Sequence, residues 1–361
     1  TLYSIFYDDS YSNIALDKAL SEIKENKAFI SALVYGVTER KITLDYFIDK
    51  YAQGRIKPKV RIVLWLGVYQ LLFMDKVPSS ASINESVKLV KEIKQDYYSK
   101  LVNAVLHKID NDRQIPDDLS VKYSVPENLI NMWKKQYGED VLNEFLPCIN
   151  DKPPLFAIPN KKFVNSDELL YELECDGILG EAYDEFVLIE NANDLTDSKA
   201  FKNGLFYIED LSSFNCANAL DALGDDLVLD MCSAPGGKAF TISQSMNNSG
   251  KIYCYDLHEH RLNLIKNGAK RLSIDNIFTD VNDATVYNEN IPKADKILCD
   301  VPCSGFGIIR RKPEIRYKDL DSVKDLPQIQ YKILETSSRY LKNGGRIIYS
   351  TCTLNLSLIH I

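Results

Sequence analysis

The stretch LVLDMCSAPGGK, residues 227–238, decides the fold of this chain. A short apolar run ends at Asp230, and two adjacent glycines, Gly236 and Gly237, open the helical stretch GKAFTISQSM. Glycine at such a strand-to-helix turn lets the backbone adopt positive φ and approach a ligand closely. The spacing matches neither the GxxxxGK[ST] of a phosphate-cradling loop nor the GxGxxG of a dinucleotide site. Downstream, strand-like KIYCYDL, NIFTDV, ADKILCDV and GGRIIYSTC alternate with helical HEHRLNLIKNGAKRL and LPQIQYKILETSSRYL. Uninterrupted apolar strands alternating with helices predict a parallel sheet covered on both faces, with ligands beyond the strands' carboxyl ends.

Three acidic residues follow successive strands at that edge. Asp256 lies about 20 residues after Gly237, where an acid holds ribose hydroxyls. Asp283 is placed to accept from an adenine amino group, and Asp300 ends the next strand. A glycine turn with these acids predicts an adenosyl ligand without pyrophosphate, and S-adenosylmethionine fits best. Two cysteines, Cys303 and Cys352, close the last two strands. C5 of cytosine is a poor nucleophile until a thiolate adds to C6, so paired thiols at a cofactor edge point to covalent methyl transfer. The attacking thiol needs a lowered pKa, from a cation or a helix N-terminus. Asp300, Lys238, Cys303 and Cys352 form the candidate catalytic set.

Upstream, the pattern changes twice. Residues 1–110 carry apolar positions at three- and four-residue spacing in AFISALVYGVTER, LDYFIDKYA and VRIVLWLGVYQLLFM, which predicts a helical bundle. INESVKLVKEI adds a helix, with Asn84 or Ser82 as its N-cap. The polar, proline-containing stretch at 111–126 reads as a linker, and two short helices follow. From Pro153, PLFAIP, EFVLIE and GLFYIED suggest a small α+β unit.

The 361 residues are 45% hydrophobic and 26% charged, a soluble globular composition of two or three domains. No run reaches the length of a membrane span, and TLYSIFYDDSYS lacks a secretory n- and h-region. Eight scattered cysteines fit a reducing cytoplasm better than a disulfide framework. Cys148, Cys175, Cys216, Cys254 and Cys299 read as small buried hydrophobes, and no metal site is expected. The four histidines have no partner at catalytic spacing, and His107 reads as structural. The net charge of −8 is local: residues 166–226 carry 2 basic and 16 acidic side chains, residues 227–361 carry 18 and 14. An RNA partner is therefore not excluded. Arg310, Arg311, Lys312 and Arg316 follow the Pro-Cys loop and are expected to clamp phosphates, with RIKPKVR, residues 55–61, a weaker candidate.

CSAPGGK, DVPCSGFGIIRRKPEIR and YSTCTLN resemble the motifs of the RNA cytosine-C5 methyltransferases, in particular the bacterial 16S rRNA family of the Sun/Fmu type. LVYGVTER, VPSSASINESVKLVK and LVNAVLHKI are similar to the NusB-like domain fused at that family's N-terminus. The resemblance implies Cys352 as nucleophile and Cys303 as the thiol that assists release. It implies cofactor contacts at Cys232, Ser233, Ala234, Pro235, Gly236, Gly237, Lys238, Asp256, Asp283 and Asp300. The fold class expected is multidomain α plus α/β. A NusB-like helical RNA-binding bundle occupies 1–125, and a small α+β unit occupies 126–212. A Rossmann-like S-adenosylmethionine-dependent methyltransferase domain lacking its last strands occupies 213–355.

The expected protein is a monomeric cytoplasmic enzyme acting on 16S rRNA. Alternatives are a tRNA or other rRNA cytosine-C5 methyltransferase, or a non-catalytic ribosome-assembly factor. The family's Arg in a PPLWLRVN-like strand has no counterpart in PPLFAIPN. The absent initial Met and the tail at 356–361, LSLIHI, which reads as translated adapter sequence, predict truncation at both ends. An open sheet edge beside Cys352 is the expected consequence.

Overall fold

The computed structural model describes residues 1–23, 25–191 and 195–356. The adapter reading at residues 357–361 lies outside them. The chain forms two compact units: 1–152 with 305–322 and 353–356, and 153–304 with 323–352. They divide at Lys152 and Pro153, where the apolar pattern changes, whereas the domain limit drawn at 125/126 falls inside the first unit.

The first unit is helical. AFISALVYGVTER and LDYFIDKYA merge into one helix, Lys27–Tyr51, which packs on Pro58–Phe73 and Ser99–Asn111, and Ser79–Glu92 packs on those two. Val37, Leu44, Phe47, Leu64, Trp65, Val68, Val90 and Leu106 fill the core between them. Gly36 lets the first two helices meet closely, since a Cβ there would sit 2.0 Å from the Tyr69 ring. Trp65 Nε1 donates to Asp45 at 2.8 Å, and Arg61 Nε reaches the same oxygen at 2.7 Å. Arg61 of the basic run is thus held by carboxylates. The expected cap is displaced: the helix begins at Ser79 after Pro78, while Ser82 is buried and donates to Gly67 O at 3.1 Å.

The stretch expected to be a linker is packed instead. It contains the helix Leu119–Tyr123, capped by Asp118, and Ser124 and Val125 are buried. Ser124 Oγ accepts from Ile42 N at 2.9 Å, and Val121 O from Thr43 at 2.5 Å. Two exposed-looking prolines in sequence hide a segment whose polar groups are satisfied by the long helix.

The second unit holds both sheets. Strands β1 (Leu155–Pro159), β2 (Gly180–Ala182), β3 (Val187–Ile189) and β4 (Phe206–Ile208) form an antiparallel sheet in the order β2-β3-β1-β4. Strands β5 (Leu227–Asp230), β6 (Lys251–Asp256), β7 (Ile277–Val281), β8 (Ala294–Asp300) and β9 (Leu341–Ser350) form the expected parallel sheet in the order β7-β6-β5-β8-β9. Helices Gly237–Ser245, Glu259–Arg271 and Leu326–Ser338 occupy the predicted positions, with a further helix at Leu211–Asn218. β9 is an edge strand whose residues are all half-buried or exposed, while β8 beside it is largely buried.

The two sheets are joined by polar pins. Asn160 Nδ2 donates to Gly204 O and Leu272 O at 2.9 and 2.8 Å. Arg271 bonds Phe201 O and Phe206 O and stacks 3.7 Å from the Phe201 ring. Gly204 has φ +72°, and a Cβ there would lie 1.9 Å from Arg271 O. No helix among the described residues is long and apolar enough to cross a membrane.

Candidate active site

Parallel strand order brings the carboxyl ends of β5, β6, β8 and β9 to one edge, and the motif residues stand there. The turn after β5 is fixed by Met231 N to Leu298 O at 3.0 Å and Ser233 N to Tyr255 O at 2.8 Å. Gly236 caps the next helix with φ +110°, a conformation that disfavours any side chain. Asp256 is buried, paired with Arg261 at 2.9 Å. Arg261 also donates to Ala234 O at 2.8 Å and so ties the turn to the acid. Asp283 Oδ1 accepts from Thr285 N and Oγ1 at 2.9 and 2.6 Å.

Lys238 and Asp300 meet. Lys238 Nζ lies 2.8 Å from Asp300 Oδ2 and 3.2 Å from Ser213 Oγ, while Ser350 Oγ donates to Asp300 Oδ1 at 2.7 Å. Burial works against the Lys238 ammonium, but Asp300 and Glu209 raise its pKa on balance. It remains a cation at neutral pH.

The two thiols lie just past their strands and touch, with Sγ–Sγ 3.1 Å. The expectation of a lowered nucleophile pKa is corrected here. Contact with Cys303, then burial, pushes the Cys352 thiol well above its ordinary value, and Lys238 only partly offsets this. Removing the contact in Cys303→Ala is expected to move the pH profile of Cys352 alkylation by iodoacetamide to lower pH. An unmoved profile would show that burial alone holds the thiol up.

Three further groups escaped the sequence reading. Asp230, at the end of β5, is buried with neither oxygen hydrogen-bonded among the described residues, and burial pushes its pKa up to about 7. Glu209, in the turn after β4, is also raised by burial to about 7 and accepts from Thr241 Oγ1 at 2.5 Å. Thr241 in turn meets Tyr207 Oη at 2.7 Å. Gly237 is needed beside it, since a Cβ there would lie 2.9 Å from Glu209 Oε1. Gln330 is the third. A single polar residue within an apolar run carries no signal in sequence; only its contacts reveal it.

Glu209 makes a pH prediction. Its folded pKa of about 7 exceeds the ordinary carboxylate value of about 4.3. The folded state therefore holds a proton that the unfolded state has lost between those limits, so stability falls as pH rises through that window. Glu209→Gln is expected to stabilise the protein by about 2 kcal/mol at pH ~8 and little at pH ~4. Melting temperatures at both values check this; an equal change at both would remove the ionisation from the explanation.

The basic run divides. Arg310, Arg311 and Lys312 are half-buried, with Lys312 Nζ 5.1 Å from the Tyr11 ring centroid. Arg316 is buried, and one of its nitrogens, Nη1, donates to Glu39 O, Ser124 O and Asn150 Oδ1 at 3.0, 3.2 and 2.9 Å. The expected phosphate contact by Arg316 is corrected: its guanidinium is committed to the first unit's interior. Among the other cysteines, Cys254 and Cys299 are buried as expected, but Cys148 and Cys175 are exposed.

Residues 217–357 match the model of the 16S rRNA methyltransferase RsmB/F family, and residues 1–111 match the NusB family. A probable ribosomal RNA small subunit methyltransferase B of Bacillus subtilis is 33% identical, over 98% of this chain and 83% of the relative. The chain belongs to the RsmB/F methyltransferase family. A second relative of the same description, from Synechocystis, is 30% identical over 96% of this chain and 82% of its own length. The crystal structure of PH0851 superposes with TM-score 0.80 at 27% identity, covering 94% of this chain and 81% of that one.

Methyltransferases of this kind use S-adenosylmethionine, and the residues present fit it. At the carboxyl edge, Ser233 Oγ, Asn282 Nδ2 and both Asp230 oxygens are buried polar atoms that find no hydrogen-bond partner among the described residues. They stand with the glycine turn and the acids at Asp256, Asp283 and Asp300, a donor and acceptor set suited to an amino acid joined to a nucleoside.

Proposed function

We propose that this protein methylates C5 of a cytosine in 16S rRNA through a covalent bond between Cys352 Sγ and C6. The contact of two thiols at the cofactor edge, Sγ–Sγ 3.1 Å, carries the reading, because N- or O-methylation needs no sulfur nucleophile. S-adenosylmethionine, when bound, supplies a methyl group on a sulfonium, electrophilic enough for an enamine carbon. The turn Cys232–Lys238 with Asp256, Asp283 and Asp300 holds it.

Addition of the Cys352 thiolate to C6 turns C5 into the enamine carbon that takes the methyl group. Asp300, braced by Lys238 and Ser350, orients the base, and the Lys238 ammonium beside it offsets the negative charge that develops in the ring. The C5 proton then leaves, the C6–S bond breaks, and the ring regains its double bond. Cys303 assists that elimination. Net chemistry replaces C5–H by C5–CH3 and releases one proton.

Residues 1–125 act as the NusB-like RNA-binding part, 126–212 as a small connecting part and 213–355 as the catalytic part. Arg310, Arg311 and Lys312 contact phosphates flanking the target. The target base must be unstacked for sulfur to reach C6. Bisulfite mapping of 16S rRNA with and without the gene tests the assignment. One protected cytosine that disappears with the gene is the expected result; loss of a tRNA or large-subunit signal instead would move the substrate. Cys303→Ala is expected to accumulate a protein–RNA adduct that survives denaturing electrophoresis, and no adduct would remove Cys303 from release.

A further inference from the structure

Pro302 directly precedes Cys303, and Tyr349 stands three residues before Cys352, so whatever fixes these two fixes both thiols. One side chain holds both. Gln330, on the helix Leu326–Ser338, is 2% exposed. Its Nε2 donates to Pro302 O at 2.8 Å, and its Oε1 accepts from Tyr349 Oη at 3.2 Å. A carbonyl only accepts, so the amide must present its nitrogen to Pro302 and its oxygen to Tyr349. The opposite rotation would set two acceptors against each other in a buried place. Burial of Tyr349, with Cys303 close by, pushes its hydroxyl up to about 12, so it stays a donor across neutral pH.

We infer that Gln330 is the positioning residue that sets the separation of Cys303 and Cys352, clamping the Pro-Cys loop to β9. The inference rests on the covalent reading above for its catalytic meaning, but its geometry can be tested without RNA. Gln330 acts on the thiols through Pro302 and Tyr349.

The first measurement is closure of the Cys303–Cys352 disulfide by diamide, followed by peptide mass mapping. Diamide takes two electrons and two protons from the two thiols and becomes a hydrazine. Gln330→Met keeps the side chain's bulk and loses both hydrogen bonds, and closure is expected to slow roughly 10-fold with the thermal transition little changed. Tyr349→Phe, which removes one of the two bonds, should slow it less. The second measurement is the kcat of Gln330→Glu relative to the unmodified protein across pH. An ionised carboxylate cannot donate to Pro302 O, whereas a protonated one can. The relative kcat is expected to be down about 10- to 100-fold at pH ~8 and to recover as pH falls.

Unchanged closure rates in folded Gln330→Met and Tyr349→Phe overturn the inference, as does a pH-independent defect in Gln330→Glu. If Gln330→Met does not fold, an unchanged rate in Tyr349→Phe is decisive against it. If the unmodified protein methylates no RNA, the covalent reading falls, while slowed closure still supports the clamp and unchanged closure still removes it.

Discussion

Cys352→Ala is expected to lower methyl incorporation into 16S rRNA by roughly 10⁴-fold or more, with protein folding and cofactor affinity nearly unchanged. The reason is chemical. In the proposed mechanism the ring becomes an enamine only when the Cys352 sulfur adds at C6, and the neighbouring Cys303 is assigned to release. Cys352 lies beyond the end of β9, so truncation leaves no cavity in the sheet's core. Methyl transfer from radiolabelled cofactor, read beside the melting temperature, separates chemistry from stability. Retention of more than about one-tenth of the activity would sink the nucleophile assignment. Cys303→Ala is expected to behave differently, stopping after addition and holding the RNA. The contrast between two adjacent thiols, one mutant inert and the other trapped, distinguishes attack from release.

Arg316→Ala is expected to cost the first unit about 3 kcal/mol of stability while leaving RNA affinity almost untouched. Its Nη1 alone serves Glu39 O, Ser124 O and Asn150 Oδ1, which join the long helix, the former linker and the turn before the second unit. Alanine removes the donor those three acceptors share and opens a cavity the size of a guanidinium stem. The neighbouring contacts of the same segment, Ser12 Oγ to Glu314 at 2.7 Å and Tyr317 Oη to Thr38 O at 2.8 Å, weaken with it. Chemical denaturation checks the cost, and salt-dependent RNA binding checks the specificity. Arg310→Ala should do the reverse, preserving stability and reducing the salt dependence of binding by about one counterion. An Arg316→Ala protein of full stability and weakened RNA binding would restore this residue to the phosphate clamp.

The contrast between Arg310 and Arg316 shows how far charge in a sequence can be read. Both lie in IIRRKPEIRYK, and nothing local separates them. A solvated charged turn and an inward arginine have the same residue pattern; the difference is whether carbonyls distant in sequence converge on the guanidinium. The same limit hid the packing of residues 111–126, whose prolines mark irregular backbone but not its burial. It also hid Glu209 and Gln330, each of which acts through partners far away along the chain.

The sequence by itself determined the parallel sheet, the glycine turn and the acids at the strand ends. These depend on local periodicity and on backbone conformations that few residues tolerate. It also singled out the two thiols, because their chemistry is rare. Tertiary structure alone decided that Lys238 pairs with Asp300, that Cys303 touches Cys352 and raises its pKa, and that Arg316 turns inward. Those outcomes follow from distance and burial between residues remote in the chain, and an amino-acid string carries neither quantity directly.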